Sequence, residues 1–282
     1  VCYAEPTPPM AHSREALEKL LFCAENGIPC IYTAASIMGT TGPVTIAGSI
    51  AMCIARTLSG LVISQLKKAG APVIVSFHAM AFDLKTMILP YSSPESHLGQ
   101  LASKAIARYY DLPTFGKSGC SDSKIFDQQA IMEADRWTFL GGLAGDNLNH
   151  DVGYLESGMI TSLDLIVACD ESIASTKRFL QGININDQTL ALDIIDKVGP
   201  QGQFIAEDHT YKYHRKELWT PELTDRLNFR QWSEAGSSSF ADRVRKKLTT
   251  ILAEHRPEPL APGVKERLRE IVRKGEERES VH

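Results

Sequence analysis

The chain has 282 residues, 43% hydrophobic and 23% charged, with a formal net charge of −4. That length suits one barrel-sized domain or two small ones, and the apolar content suffices for a buried core. The mild acidity leaves no basic footprint for nucleic acid, and no apolar run reads as a membrane span or signal peptide.

Val1-Cys2-Tyr3-Ala4-Glu5-Pro6 has no Met and reads as a short strand running into a loop. It suggests a longer protein whose N-terminal part precedes Val1. Ser13 is placed to cap a helix that ends at Asn26-Gly27. Residues 28–35 form an apolar stretch short enough for a buried parallel strand. Pro43 is expected at the first position of a long helix over 44–69, whose small residues suit close packing on a sheet.

The next expected strand, 72–78, ends at His78 and leaves into a loop with Asp83, Lys85 and Tyr91. Ser93-Pro94-Glu95 then opens a helix to Tyr110. A strand over 113–116 exits into Lys117, Ser118, Cys120, Ser121, Asp122 and Lys124. A helix over 125–142 and a strand over 143–148 lead to His150, Asp151, Tyr154 and Glu156. Strand, polar loop and helix recur at about 30 to 45 residues, the rhythm of (β/α) units with sites at the strand exits. The strand exits are accordingly expected to line the main cavity.

Helices are expected over 163–179 and, capped by Asp187, over 187–198. Beyond residue 205 aromatic and charged residues mix without strand alternation. This gives a barrel portion, 1–205, and a helical C-terminal extension and tail, 206–282, with an amphipathic helix over 240–255. The aromatics between Tyr211 and Trp232 offer a surface for a homo-oligomer. Six cysteines lack paired or CxxC spacing, which points to reduced thiols in a cytoplasmic protein.

Four segments carry a family resemblance: Met38-Gly-Thr-Thr-Gly-Pro-Val-Thr-Ile-Ala-Gly48, Ser121-Asp-Ser-Lys124 with Asp127-Gln-Gln129, Glu156-Ser-Gly158, and His209-Thr with His214-Arg-Lys-Glu217. Together they resemble the trimethylamine methyltransferase superfamily. The resemblance runs along nearly the whole chain. It implies a TIM (β/α)8 barrel, here lacking its N-terminal strands. It also implies methyl transfer from an amine or betaine to the cobalt of a separate corrinoid protein. No corrinoid is expected to be held tightly by this chain itself. Members that use trimethylamine carry pyrrolysine, which motif order places near residues 116–124. Only standard residues stand there, so the chain is similar to the branch that includes glycine betaine methyltransferases.

A quaternary ammonium has no N–H to bond. It is held by aromatic faces, at about 0.5–2 kcal/mol each, and by carboxylates. Tyr3, Tyr32, Phe77, Phe115 and Tyr154 are the expected faces, with Glu5, Asp146 and Glu156 as counter-charges. A betaine carboxylate is expected at His78, at His150 or at a helix N-terminus. His150, Tyr154 and Glu156 are close enough in sequence to present imidazole, ring and carboxylate to one zwitterion. Ser121, Asp122 and Lys124 either cap a helix with a salt bridge or line the barrel mouth. Cys120, His150 and Cys169 lack zinc-ligand spacing, so no metal is expected. Two other functions stay open: a Schiff-base lyase using Lys117 or Lys124, and a non-catalytic module that binds a corrinoid protein.

Overall fold

A computed structural model describes residues 1–279; positions 280–282, the end of the expected tail, lie outside the described residues. The chain divides into two units, Val1–Arg245 and Lys246–His282. The first begins β1 (Cys2–Ala4), α1 (Arg14–Asn26), β2 (Cys30–Ile37), α2 (Ile46–Lys67), β3 (Val73–Met80), α3 (Pro94–Tyr109), β4 (Phe115–Lys117), α4 (Gln128–Ala144) and β5 (Leu148–His150). Ser13 caps α1 by accepting from the Ala16 N–H, and left-handed Gly27 closes it. Ser93 with Pro94 opens α3 as expected. Two of these helix starts depart from the sequence reading. Thr45 precedes α2, which puts Pro43 outside the helix. Asp127 rather than Asp122 caps α4, accepting from the Ala130 N–H.

β1, β2 and β3 pair in parallel, as do β4 and β5, and a parallel bridge from Val75 to Thr114 joins the two groups. Five parallel strands therefore follow one another in chain order, an α/β arrangement. The rings of Tyr3 and Phe115 lie 6.0 Å apart although two strands separate theirs, so the sheet curls and both face its concave side. Among the described residues β1 pairs only with β2 and β5 only with β4, so these strands do not close into a barrel.

The opposite face is covered by helices. Leu20 and Cys23 of α1 join Tyr32, Val75, Phe77 and Ala107 in the main core cluster. Contrary to expectation, the 22-residue α2 is long and apolar enough to cross a membrane by length and composition. Here it packs on the sheet through Ile50, Cys53, Thr57 and Gly60. Its buried Arg56 donates to the carbonyls of Ala35 and Pro6. A Cβ at Gly60 would stand 2.1 Å from the Tyr32 ring, so only glycine allows this approach.

The strand expected over 143–148 is displaced. α4 continues through Ala144, Gly145 ends it with φ 76°, and β5 begins at Leu148. Asp146 consequently precedes its strand. It lies buried, 2.7 Å from the Lys104 Nζ of α3, and accepts from Gln100 Nε2 at 3.1 Å. Burial pushes the Lys104 amine down and the Asp146 carboxyl up, and their mutual attraction opposes both shifts.

Past β5, the strands β6 (Tyr154–Leu155) and β7 (Ile160–Thr161) form an antiparallel hairpin around a 3-10 turn, Glu156–Gly158. Then come α5 (Leu163–Leu180), α6 (Asp187–Leu190), α7 (Leu192–Val198), α8 (Asp208–Glu217), α9 (Phe229–Glu234), α10 (Phe240–Glu254) and α11 (Val264–Glu279). Asn186 instead of Asp187 caps α6, and left-handed Ala191 separates it from α7. The buried Glu171 of α5 accepts from the N–H groups of Glu222, Leu223 and Thr224 at 3.1, 3.0 and 2.8 Å. One carboxylate thus fastens the segment before α9 to α5. The second unit holds the end of α10 and α11, where Arg273 and Glu277 pair one turn apart.

Removing one member of the Lys104–Asp146 pair leaves an uncompensated buried charge. Asp146→Ala is expected to cost about 3–5 kcal/mol in urea unfolding. Adding Lys104→Met should recover much of that loss. Additive losses in the double variant would show that the two groups act independently.

Candidate functional site

The C-terminal ends of β3, β4 and β5 bring their side chains together on the concave face. Phe115 and Lys117 are two residues apart on β4, so they share that face. The Phe115 ring stacks on His150 with centroids 4.3 Å apart and planes 7° from parallel. His150 Nδ1 contacts the nearly buried Asp151 carboxylate, while its buried Nε2 has no hydrogen-bond partner. Gln100 of α3 clamps β4 from behind. It donates to the Lys117 carbonyl and accepts from the Lys117 N–H, both at 3.1 Å.

Lys117 is 5% exposed. Its Nζ stands 3.4 Å from the centre of the Tyr91 ring and 3.5 Å from Met80 Sδ. Among the described residues no carboxylate forms an ion pair with it. Burial drives this amine below the ordinary lysine range, against the pull of Cys120, Asp151, Asp122 and Glu5. Burial, with Lys117, Lys104 and His150 adding to it, holds His78 far below the usual imidazole range, so it is neutral. His78 Nε2 lies 3.0 Å from Ser76 Oγ. Tyr3 donates to Glu5 at 3.0 Å, and burial and then that carboxylate push its phenol up. Burial followed by Asp151 raises Tyr91 to about 12.

The loops around this cluster are tied by Asp122. Its carboxylate accepts from the N–H groups of Tyr91 and Ser92 at 2.7 and 2.8 Å, and from Ser157 Oγ at 3.0 Å. Ser121 Oγ donates to Glu133 of α4 at 2.7 Å, and the Asp122 N–H reaches the same oxygen at 2.8 Å. Lys124 is exposed and donates to the Asp122 carbonyl.

Of the residues singled out by the sequence, Tyr3, Phe115, His78 and His150 meet in this cluster. His150 is the last residue of β5, not a loop residue. Tyr154 is 37% exposed beside Tyr91; a Cβ at Gly158 would contact both rings at 3.5 Å. Glu156 is exposed at the hairpin turn. Tyr32 and Phe77 fall on the helix-facing side of the sheet, Tyr32 with its hydroxyl 2.5 Å from His12 Nδ1. They are core, and the expectation that they face a substrate does not hold. Asp146 serves Lys104 at the start of β5, so it is not a strand-exit counter-charge. Ser121 and Asp122 tie the surrounding loops together and do not cap α4. Sequence reasoning missed the pairing of Lys117 with Tyr91 and the nearness of Asp151. The signal was available in Lys117, a polar residue two past Phe115 at the end of an apolar strand.

The cavities lie elsewhere. One, about 490 Å³, is bounded by Ile131, Leu165, Ala168, Cys169, Trp219 and Phe240 beside α4 and α5. Another, about 360 Å³, opens by Asp111, Leu112 and Asn147 at the strand starts. Contrary to expectation, neither is lined by the strand exits, where Lys117 and His78 lie buried. As for metal, burial raises the Cys120 thiol and lifts Cys169 to about 12, the opposite of a zinc thiolate. Among the described residues no group of three or more His, Cys, Asp or Glu is arranged to hold an ion.

Comparison with known proteins agrees with the resemblance. Residues 1–279 match the family described as trimethylamine methyltransferase (MTTB). A trimethylamine methyltransferase MttB of Desulfitobacterium hafniense is 35% identical over 280 residues, covering 99% of this chain and 56% of that protein. One from Methanosarcina barkeri is 33% identical over 271 residues, 96% and 54% of the two chains. A glycine betaine methyltransferase of Desulfitobacterium hafniense is 31% identical over 265 residues, 94% and 55%. The chain spans about half the length of the curated relatives it matches. With a match from residue 1 to 279 and identity near one third along the same span, the chain belongs to the trimethylamine methyltransferase family.

Proposed function

We propose that this chain is part of a methyltransferase that moves a methyl group from a quaternary amine of the betaine kind to the cobalt of a corrinoid on a separate protein. The observation that carries the reading is the Tyr91 face, which already lies against Lys117 Nζ, with the Asp151 and Glu5 carboxylates acting on the same phenol and the Tyr3–Phe115 pair on the same side of the sheet. Aromatic faces with nearby carboxylates are what an ammonium without N–H groups requires. Relatives named for trimethylamine and for glycine betaine support the donor class. Five parallel strands in chain order on a curled sheet support a (β/α)8 barrel of which these strands form part, with this cluster at its mouth.

The corrinoid, as acceptor, supplies a cobalt(I) nucleophile. The amine that leaves a quaternary ammonium is neutral and needs no proton. The residues of this chain are therefore asked mainly to hold the methyl carbon in line, worth up to about 7–11 kcal/mol in a well-oriented site. Tyr91, Tyr3 and Phe115 supply faces, Asp151 and Glu5 supply charge, and burial with Glu5 keeps the Tyr3 phenol protonated.

One observation favours a second reading, a Schiff-base lyase: the buried Lys117 amine with its lowered pKa. Lys124 drops out of it, being exposed and bonded to a carbonyl. Borohydride trapping of a carbonyl substrate on Lys117 would favour the lyase.

The test is methyl transfer from trimethylglycine or tetramethylammonium to cob(I)alamin, read by the acceptor's absorbance change. Corrinoid binding without transfer from any donor would leave a binding module only. Tyr91→Leu is expected to weaken the quaternary amine by about 0.5–2 kcal/mol, while Tyr91→Phe keeps most of the affinity. Equal behaviour of the two variants would remove Tyr91 from the cation site.

A further inference from the structure

We propose that His78, Lys117 and His150 form an anion cradle that seats the carboxylate of the donor, and that it selects a short zwitterion over a simple quaternary ammonium. The identity of the donor rests on the methyl-transfer reading; the cradle itself rests on geometry. The three residues end three neighbouring strands at one level. Lys117 and His150 are direct partners in the β4–β5 ladder. His78 and Lys117 each lie three residues beyond the Val75–Thr114 bridge that joins β3 to β4. Lys117 shares the face of Phe115, which stacks on His150 and meets Tyr3, so the row opens on the concave side.

Two polar atoms in this row lack the partner that burial demands. Among the described residues Lys117 Nζ has a thioether and an aromatic ring for neighbours and no oxygen acceptor, and His150 Nε2 is buried with nothing bonded to it. A buried cation without a counter-ion is costly, and a ligand carboxylate would supply both missing partners. Asp151 takes the Nδ1 proton of His150, so Nε2 has a proton to give an anion when the ring is imidazolium, the form that two flanking carboxylates would favour. The Ser76 hydroxyl beside His78 Nε2 can donate to it, and in that arrangement the neutral ring carries its proton on Nδ1.

The signs around the cradle favour a zwitterion. Asp151, Asp122 and Glu5 act on Lys117 without pairing with it, and they suit the ammonium end. Anion donor and aromatic face are close neighbours, with Lys117 Nζ 3.4 Å from the Tyr91 ring centre. Nζ now covers that face, so an ammonium takes it as the carboxylate draws Nζ aside; a one-carbon spacer keeps the two ends that close, whereas a long one does not.

Calorimetric titration of the whole protein with trimethylglycine, γ-trimethylaminobutyrate, choline and tetramethylammonium tests this. Trimethylglycine should bind more tightly than the other three. Lys117→Met should weaken trimethylglycine by about 10- to 100-fold, the loss of a hydrogen bond to a charged group, and should not weaken tetramethylammonium. His78→Asn, which keeps the lysine, should lower trimethylglycine affinity in the same direction; it and Lys117→Gln serve if Lys117→Met does not fold. Equal losses on both probes, or choline binding as tightly as trimethylglycine, would overturn the cradle. Absence of methyl transfer from every donor would remove the methyltransferase reading, while carboxylate-dependent heat lost in Lys117→Met would still support the cradle.

Discussion

The parallel ladder is the constraint on which the rest depends. Each crossover helix must carry the chain back to the same edge, so every strand of the sheet points its C-terminal end the same way. Side chains distant in sequence are thereby set level with one another. β3, β4 and β5 place His78, Lys117 and His150 in one row because Thr114 stands beside Val75 and His150 beside Lys117. A slip of β4 by one residue would turn Lys117 to the helices and Gly116 to the concave face. Gln100 guards against this by bonding both the N–H and the carbonyl of Lys117, and the Lys104 ammonium donates to the Phe115 carbonyl at 2.6 Å.

Two buried lysines show what separates scaffold from site. Lys104 has Asp146 at 2.7 Å and the Phe115 carbonyl, so its charge is compensated. Lys117, equally buried, is offered a ring and a thioether. The first arrangement holds a strand to a helix. The second leaves an unmet electrostatic demand beneath the Tyr91 ring, the environment expected of a binding group more than of a structural one.

Much of the scaffold was legible in the sequence because its punctuation is chemical. Ser13, Gly27, Ser93 and Pro94 mark helix ends by caps that operate locally. Strand parity was not legible. β2 and β3 are apolar on both faces, so nothing in their composition says that Tyr32 and Phe77 turn to the helices while Ser76 and His78 turn inward. The end of α4 was misplaced because Leu143 and Ala144 continue the helix past Gly141-Gly142, and only Gly145 adopts the left-handed turn that stops it. That shift of a few residues moved His150 from loop to strand. The site was half visible: its aromatic and imidazole members were named from chemistry. The Lys117–Tyr91 contact depends on a loop fold that no local pattern encodes.

Asp122 gives this loop fold a mechanical character. A single carboxylate grips two consecutive amides next to Tyr91 and the hydroxyl of Ser157, and its own backbone is gripped by Glu133. The aromatic wall over Lys117 and the turn beyond β6 are consequently one hinged panel instead of two independent flaps. A motion that draws Tyr91 away from the lysine must carry the 156–158 turn with it or break charge-assisted bonds, so the two segments behave as one element.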